Sequence, residues 1–325
     1  MTNIVIIGAG QLGSRHLQGL SGVDRVIRIS VIDPDSSSLK TAKNRYQEMP
    51  INNIVQSVSF FESLITLNSD VDVAIVATHS EVRRKVVEEL LEQVKVRFLI
   101  LEKVAFQSVE DFQDVIDLLE KSGTKTWVNC PRRMYPFYKT LKQVLRPEEK
   151  VYMHVTGGNW GLASNSIHLL DLFVFLTGEN TMILDGSDLD RDVQESKRNG
   201  YIELSGNLRG KTKGGSRVSL MECKETDTPS VIHISNTDSS MIILEGSSKA
   251  LQSPKGSNCE WEEVSFQVPL QSQLTCLAVQ QILDTGASDL PTLEESFALH
   301  KPMLETFNQH LEKYTGQHYE RIPIT

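Results

Sequence analysis

Ile4-Val5-Ile6-Ile7-Gly8-Ala9-Gly10-Gln11-Leu12-Gly13 decides the fold of the N-terminal part of the chain. Four branched apolar residues in succession read as a strand buried on both faces, the form strands take in a parallel sheet covered by helices. Glycines follow at once and open Gln11 to Leu20, a segment of helical period. Gly8 permits the tight turn, Gly10 lets the backbone approach a pyrophosphate, and Gly13 lets the helix pack closely on the strand. The helix N-terminus offers amide hydrogens and positive potential to phosphates. Gly8, Gly10, Gln11, Leu12 and Gly13 are therefore candidate residues for binding a dinucleotide cofactor.

Outward from this stretch, short β-branched runs alternate with helical segments as far as about residue 128. The runs are Val26 to Ile32, Val73 to Ala77 and Phe98 to Leu101; the helices are Ser38 to Gln47, Glu81 to Glu92 and Val109 to Lys121. This alternation is the sequence form of an α/β, doubly wound parallel sheet. Ser36 to Ser38 and Ser108 are candidate N-caps, and Gly123 stands where a C-terminal stop belongs. After Trp127 the character changes. Pro131, Pro136 and Pro147 punctuate the chain, and a strand (Val151 to Thr156) leads through Gly157-Gly158 into a helix near Ser164 to Leu176. Strands then follow one another with Gly, Ser and Asn turns: Tyr201 to Ser205, Val218 to Cys223, Val231 to Ser235, Met241 to Leu244 and Val264 to Val268. Asp185 to Asn199 reads as a polar surface loop, and Leu208 to Arg217 as a mobile, positively charged hairpin. Two amphipathic helices, about Gln271 to Asp284 and Leu293 to Tyr314, close the chain, the second prefaced by Pro291-Thr292. The expectation is two domains: residues 1–128 for the dinucleotide, and residues 129–325 as an α+β domain with a large, mostly antiparallel sheet.

The length of 325 residues suits two domains with a sizeable core. With 33 Lys and Arg against 42 Asp and Glu, the net charge of −9 argues against broad nucleic-acid or anionic-membrane binding. No apolar run reaches the roughly 18 to 20 residues that span a bilayer. Cys130, Cys223, Cys259 and Cys276 show no ligand spacing, so no metal is expected and the thiols read as reduced, in a cytoplasmic protein.

The chemistry-bearing residues lie at strand ends. Asp33, about 20 residues beyond Gly13, can accept hydrogen bonds from the adenosine ribose hydroxyls and repels a 2′-phosphate. The next cation is Lys40, which points to NAD rather than NADP. Ala77-Thr78-His79 and Glu102-Lys103 follow two further strands, where ligands of open α/β sheets bind. In Gly157 to Asp171, a helix beginning near Ser164 places Ser164, His168 and Asp171 on one face, and a histidine there suits proton exchange with a hydroxyl. Asn159 and Trp160 sit at a strand end where a substrate could stack or hydrogen-bond, although Trp160 is equally suited to an interface core. Arg133, just after the domain junction, reads as an interdomain salt-bridge partner.

The glycine stretch, Asp33, Glu102-Lys103, Arg133 to Pro136 and the Gly-Gly strand leading to His168 and Asp171 occur in an order that resembles the Gfo/Idh/MocA oxidoreductases, over nearly the whole chain. That resemblance implies a Rossmann domain, then a domain whose open sheet joins subunits into a homodimer or homotetramer. It implies Lys103 and His168 as the catalytic pair, and it sets Arg133 and Tyr135 near the cleft. With Asn159, Trp160, Ser164 and Asn165 they form the candidate substrate-binding set. Three departures stand out: Glu102-Lys103-Val104 in place of Glu-Lys-Pro, Thr78-His79 in place of Thr-Pro, and Ser164 where an Asp often precedes the His by one turn. Ser164 can hydrogen-bond to the imidazole but supplies no charge.

The expected activity is hydride transfer between NAD and a secondary alcohol or ketone of a sugar, cyclitol or nucleotide-sugar, with Lys103 and His168 converging over the reactive ring. Two alternatives are a cofactor-binding regulatory protein without turnover, and an enzyme that uses tightly held NAD transiently in elimination or epimerisation.

Overall fold

The computed structural model describes residues 1–325 except Ile51, Pro147, Glu148, Lys255 and Cys259. The boundary signal at Pro147 and the thiol of Cys259 thus lie outside the described residues. The chain divides into two units, one of Met1–Cys130 with Pro269–Ser296, the other of Pro131–Val268 with Phe297–Thr325.

The first unit carries β1 (Thr2–Ile7), α1 (Gln11–Leu20), β2 (Ile27–Ile32), α2 (Ser36–Gln47), β3 (Val55–Phe61), β4 (Val71–Val76), α3 (Ser80–Gln93), β5 (Val96–Leu101), α4 (Val109–Ser122) and β6 (Lys125–Val128). Its sheet is parallel throughout, in the order β3-β2-β1-β4-β5-β6. Ile6, Val31, Val73, Ala74, Ile75 and Leu99 are wholly enclosed, which is why these strands read as continuous apolar runs. Each buried Ile or Val side chain contributes about 1.5 to 3 kcal/mol relative to exposure. Ser108 caps α4 by accepting the Asp111 amide, and Gly123 ends that helix with φ 71°, both as the sequence implies. The cap of α2 is Asp35, one residue before the expected serines; its carboxylate accepts the amides of Ser37 and Ser38.

The second unit holds α5 (Pro136–Val144), β7 (Tyr152–Gly158), α6 (Leu162–Thr177), β8 (Met182–Leu189), β9 (Gln194–Glu195), β10 (Ile202–Glu203), β11 (Gly206–Thr212), β12 (Arg217–Cys223), β13 (Val231–Ser235), β14 (Ser239–Leu244), β15 (Lys249–Pro254) and β16 (Glu262–Val264). Eight strands form one sheet in the order β16-β15-β14-β13-β7-β12-β11-β8, antiparallel apart from β7 with β12. The inward residues Met153, Val155, Val218, Leu220, Ile232 and Ile243 are buried, whereas Tyr152, His154 and Met221 face outward and are exposed. Asp185 to Leu189, expected as loop, is the edge strand β8. The basic stretch around Arg209 is the β11–β12 hairpin within the sheet, with Arg209 paired to Asp185 at 2.6 Å and Asp188 at 3.0 Å.

The closing helices are α7 (Gln271–Thr285) and α8 (Leu293–Thr315). Although it follows the second sheet in sequence, α7 lies in the first unit, against α1. Glycines permit this contact: a Cβ on Gly19 would strike the Ser272 carbonyl and Thr275, and one on Gly22 would crowd Cys276. The Thr292 start signal is a capping box, in which Thr292 Oγ1 accepts the Glu295 amide while Glu295 accepts the Thr292 amide.

Candidate functional site

Sheet register sets the first unit's candidate residues at one level. Ile7 pairs with Ile32 and Val76, and Val76 pairs with Leu101, so Gly8, Asp33, Ala77 and Glu102 each stand one residue past the end of adjacent strands. Backbone bonds continue the ladder there, from Gly8 N to Ile32 O, Ala77 N to Ile7 O and Glu102 N to Val76 O. The sheet order reverses between β1 and β4, the point at which open α/β sheets leave a crevice.

The three glycines differ in what surrounds them. A Cβ on Gly13 would collide with the Gly8 carbonyl, and Gly8, at φ 95°, has Ala77 backbone 2.8 Å from its Cβ position. These two are required by the packing of the turn itself. At Gly10 a Cβ would meet nothing within 4 Å. Gly10 is also the N-cap of α1, and the first turn holds neither a side-chain cap nor an acidic residue. Asp33 closes the loop from below: its Oδ2 accepts the Ala9 amide at 2.6 Å and its Oδ1 the Asp35 amide at 2.9 Å. Across the switch point, Thr78 Oγ1 is buried with no hydrogen-bond partner among the described residues. Open space over uncapped amides, an acidic strand end and a hydroxyl awaiting an acceptor or donor are what a dinucleotide requires, so these residues fit one. The Gly10→Ala variant should therefore keep the wild-type melting temperature but bind NADH more weakly. Overpacking of about 1 to 3 kcal/mol corresponds to about 5- to 150-fold in Kd, readable by fluorescence titration.

Residues outside the sequence reading hold this edge in place. Arg83 of α3, 1 % exposed, donates to the carbonyls of Thr78, Val104 and Ala105 and so ties the β4 and β5 ends together. The peptide between Lys103 and Val104 is cis. Glu102 turns inward, 3 % exposed, and accepts from His16 Nε2 at 2.8 Å and Asn129 Nδ2 at 2.6 Å. Burial works to raise the Glu102 carboxyl, but the bonds from His16 and Asn129 outweigh it and hold the group below its ordinary value. His16 reaches Thr275 of α7 through its other nitrogen. A signal for His16 existed: it falls on the Gly13, Leu17, Leu20 stripe of α1 that faces inward. Arg83, in the run Glu81-Val82-Arg83-Arg84-Lys85, is indistinguishable by sequence from a solvated helix face. His79 lies exposed at the N-cap of α3.

In the second unit, α6 brings Ser164, Asn165, His168 and Asp171 together. Asp171, 1 % exposed, receives two bonds from the Arg133 guanidinium, at 3.0 and 2.6 Å. Both belong to the same unit, so this pair is not an interdomain one. Tyr135 is buried and stacks on Tyr138 at 5.7 Å. Before the helix, Asn159 sits at φ 55° with its amide on Asp227 and Trp160 donates to the Met221 carbonyl; Asn165, in the first turn of α6, donates to the Trp160 carbonyl. His168 is half-buried, one turn beyond Ser164.

Sequence reading missed two carboxylates at the start of α6. Glu222 of β12 accepts the Leu162 amide at 2.5 Å, and Glu203 of β10 accepts the Ala163 amide at 2.9 Å, the Ser164 amide at 3.3 Å and the Ser164 hydroxyl. Burial, reinforced by the Glu203 charge, raises the Glu222 carboxyl from 4.5 to about 7, against the helix amides that lower it. A raised acid favours the folded state at low pH; that advantage fades as pH climbs from the unfolded value of 4.5 to about 7. Replacing Glu222 with Gln should remove this decline, so the variant's stability relative to wild type rises across that window in urea titrations at successive pH values.

Comparison with known proteins adds a family. Residues 2–130 match the model of the Gfo/Idh/MocA group, described as an oxidoreductase family with an NAD-binding Rossmann fold. A curated relative, the uncharacterized oxidoreductase YrbE of Bacillus subtilis (strain 168), is 24% identical over 144 residues, 44% of this chain and 40% of that protein. The match thus spans less than half of the relative's length. Among solved structures, a Gfo/Idh/MocA family oxidoreductase from Vibrio cholerae superposes with a TM-score of 0.70 at 17% identity, over 98% of this chain and 100% of that one. The UDP-N-acetylglucosamine 3-dehydrogenase GnnA of Acidithiobacillus ferrooxidans gives 0.69 at 13% identity, over 96% and 98%. At such identities the likeness is one of fold. No helix among the described residues is long and apolar enough to cross a membrane.

Proposed function

We propose that this protein is an NAD-dependent dehydrogenase acting on a secondary alcohol or ketone of a sugar, cyclitol or nucleotide-sugar. The observation that carries the reading is the uncapped first turn of α1 with open space over Gly10 and Asp33 at the neighbouring strand end. The family match of residues 2–130 and the fold shared with a nucleotide-sugar dehydrogenase support it. The first unit, residues 1–128 with α7 packed on them, would serve the cofactor, and the rest of residues 129–325 the substrate. Gly8, Gly10, Gln11, Leu12 and Gly13 hold the pyrophosphate, Asp33 the adenosine ribose, and Ala77, Thr78, His79, Glu102 and Lys103 line the nicotinamide side. Asp33 sets NAD above NADP, because its carboxylate repels a 2′-phosphate.

When bound, NAD supplies the hydride acceptor. In the oxidative direction His168 takes the hydroxyl proton, and Lys103 donates a hydrogen bond that stabilises negative charge growing on the substrate oxygen. Arg133, Tyr135, Asn159, Trp160, Ser164 and Asn165 make up the substrate-contact set. The protein works in the cytoplasm as a homodimer or homotetramer through the second sheet, whose outward face exposes Tyr152, Ile183 and Met221.

NADH fluorescence tests the reading on purified protein. NADH should bind and then be consumed by ketosugars, or be formed from NAD by sugars or cyclitols. Binding without consumption across such a panel would leave a regulatory protein. Substrate conversion without net absorbance change would point to transient oxidation.

A further inference from the structure

The first turn of α6, one turn before the proposed acid/base, holds a carboxylate that comes from another element of the chain. Ser164, His168 and Asp171 share one helical face, but Asp171 is taken up by the Arg133 guanidinium, and Ser164 brings no charge. Glu203 arrives at this spot from β10, 39 residues further along the chain. Three hydrogens converge on its two oxygens: the Ala163 and Ser164 amides on Oε2, and the Ser164 hydroxyl on Oε1. A helix N-terminus favours negative charge at such a position. The surroundings are shaped to admit the group. Gly161, the residue before α6, has φ 78°, and a Cβ there would come within 3.0 Å of Glu203 Oε1. The strand that carries Glu203 is anchored on both sides, by Ile202 N donating to the Pro323 carbonyl at 2.8 Å and by Ser205 Oγ donating to Asp190 at 2.6 Å.

We propose that Glu203 is a positioning residue for His168: tethered through the Ser164 hydroxyl and the first-turn amides of α6, it supplies the negative charge that stabilises the protonated imidazole one turn further on. The inference rests on the proposed acid/base role of His168. Residues at i and i+4 lie about 5 to 6 Å apart between Cβ atoms, close enough for a carboxylate fixed on Ser164 to act on the ring at 168.

Other charges of this unit stand against α6. Glu222 of β12 also caps the first turn, with burial and the Glu203 charge raising its carboxyl to about 7. Lys197 donates to the Asn159 carbonyl ahead of the helix, at 3.3 Å. Arg133 is bound to Asp171, and Arg132 beside it to Glu245 at 2.8 Å. On α5, Lys142 lies 4.2 Å over the Phe175 ring, and Lys139 is its remaining cation. Glu203 differs from all of these in being bonded to the side chain one turn before the imidazole.

The test is a pH titration of the His168 imidazole by NMR in the full-length protein labelled with 13C-histidine, the resonance being assigned by its loss in His168→Gln. Glu203→Gln should lower the midpoint by about half to one pH unit. Ser164→Asp in the Glu203→Gln background, which moves the carboxylate onto the helix, should restore it. An unchanged midpoint in Glu203→Gln, or failure of the added aspartate to raise it, overturns the proposal. Should Glu203→Gln not fold, Ser164→Ala removes the hydroxyl tether alone; a downward shift supports the proposal and no shift overturns it. In turnover, the acid limb of kcat/KM should move with the midpoint in Glu203→Gln, with KM near wild type. The NMR readout needs neither substrate nor cofactor, so a protein that turns nothing over would remove the dehydrogenase reading while the midpoint still decides the role of Glu203.

Discussion

Alanine at His168 should lower kcat/KM by about 10²- to 10⁴-fold, the contribution of a positioned general acid/base. NADH affinity should stay at the wild-type value, since the loop that would hold the dinucleotide is built from Gly8 to Gly13 and Asp33, in a different unit of the chain. Lys103→Ala should produce a loss of similar order if its ammonium stabilises charge on the substrate oxygen. Lys103→Arg should not recover it, because a planar fork that does not deprotonate is a poor replacement for a compact ammonium. Steady-state kinetics with the substrate found in the NADH panel, alongside fluorescence titration, separates the two effects. Unchanged turnover in both alanine variants would sink the mechanism, whatever the cofactor affinity.

The fold was legible where burial leaves a pattern. β1, β2, β4 and β5 read directly, because enclosed strands consist of unbroken apolar runs. β3 did not: Gln56 and Ser57 are exposed at the sheet edge and break the run. β6 is four residues long and begins with an exposed Lys125, too short to outweigh the helix before it. β8 carries Asp185, Gly186 and Asp188 on an edge, a composition that reads as loop. The place of α7 in the first unit had no local signal either, since it depends on Gly19 in α1 and Gly22 just after it, more than 250 residues away.

The candidate site shows the same division. Its strand-end residues were legible because each follows an apolar run by one residue, and the glycine turn because its spacing is local. The residues that hold the site were not. Arg83 looks like one more surface cation, and Glu203 and Glu222 lie 39 and 60 residues from the helix amides they accept. A helix start seen in sequence says that its amides need acceptors; it does not say which distant strand provides them.

Arg133→Met should cost about 3 to 5 kcal/mol of stability, the penalty for taking one partner from a buried ion pair. Asp171 is 1 % and Arg133 11 % exposed, and two bonds join them. Removing the guanidinium leaves a carboxylate inside the protein without its countercharge. The exposed pair Arg209–Asp185, at 45 % and 52 %, gives the comparison. Its loss in Arg209→Met should cost no more than about 1 kcal/mol, because water already screens it. Urea denaturation of both variants measures the difference. Asp171→Asn in the Arg133→Met background removes the stranded charge and should recover part of the loss. If the double variant is no more stable than Arg133→Met, the penalty comes from the lost contact of the guanidinium with the Phe175 ring, not from a stranded carboxylate. Asp171 stands three residues beyond His168, so the same pair fixes the stretch of α6 on which the proposed proton transfer depends, and the activity of Arg133→Met should fall before the protein unfolds.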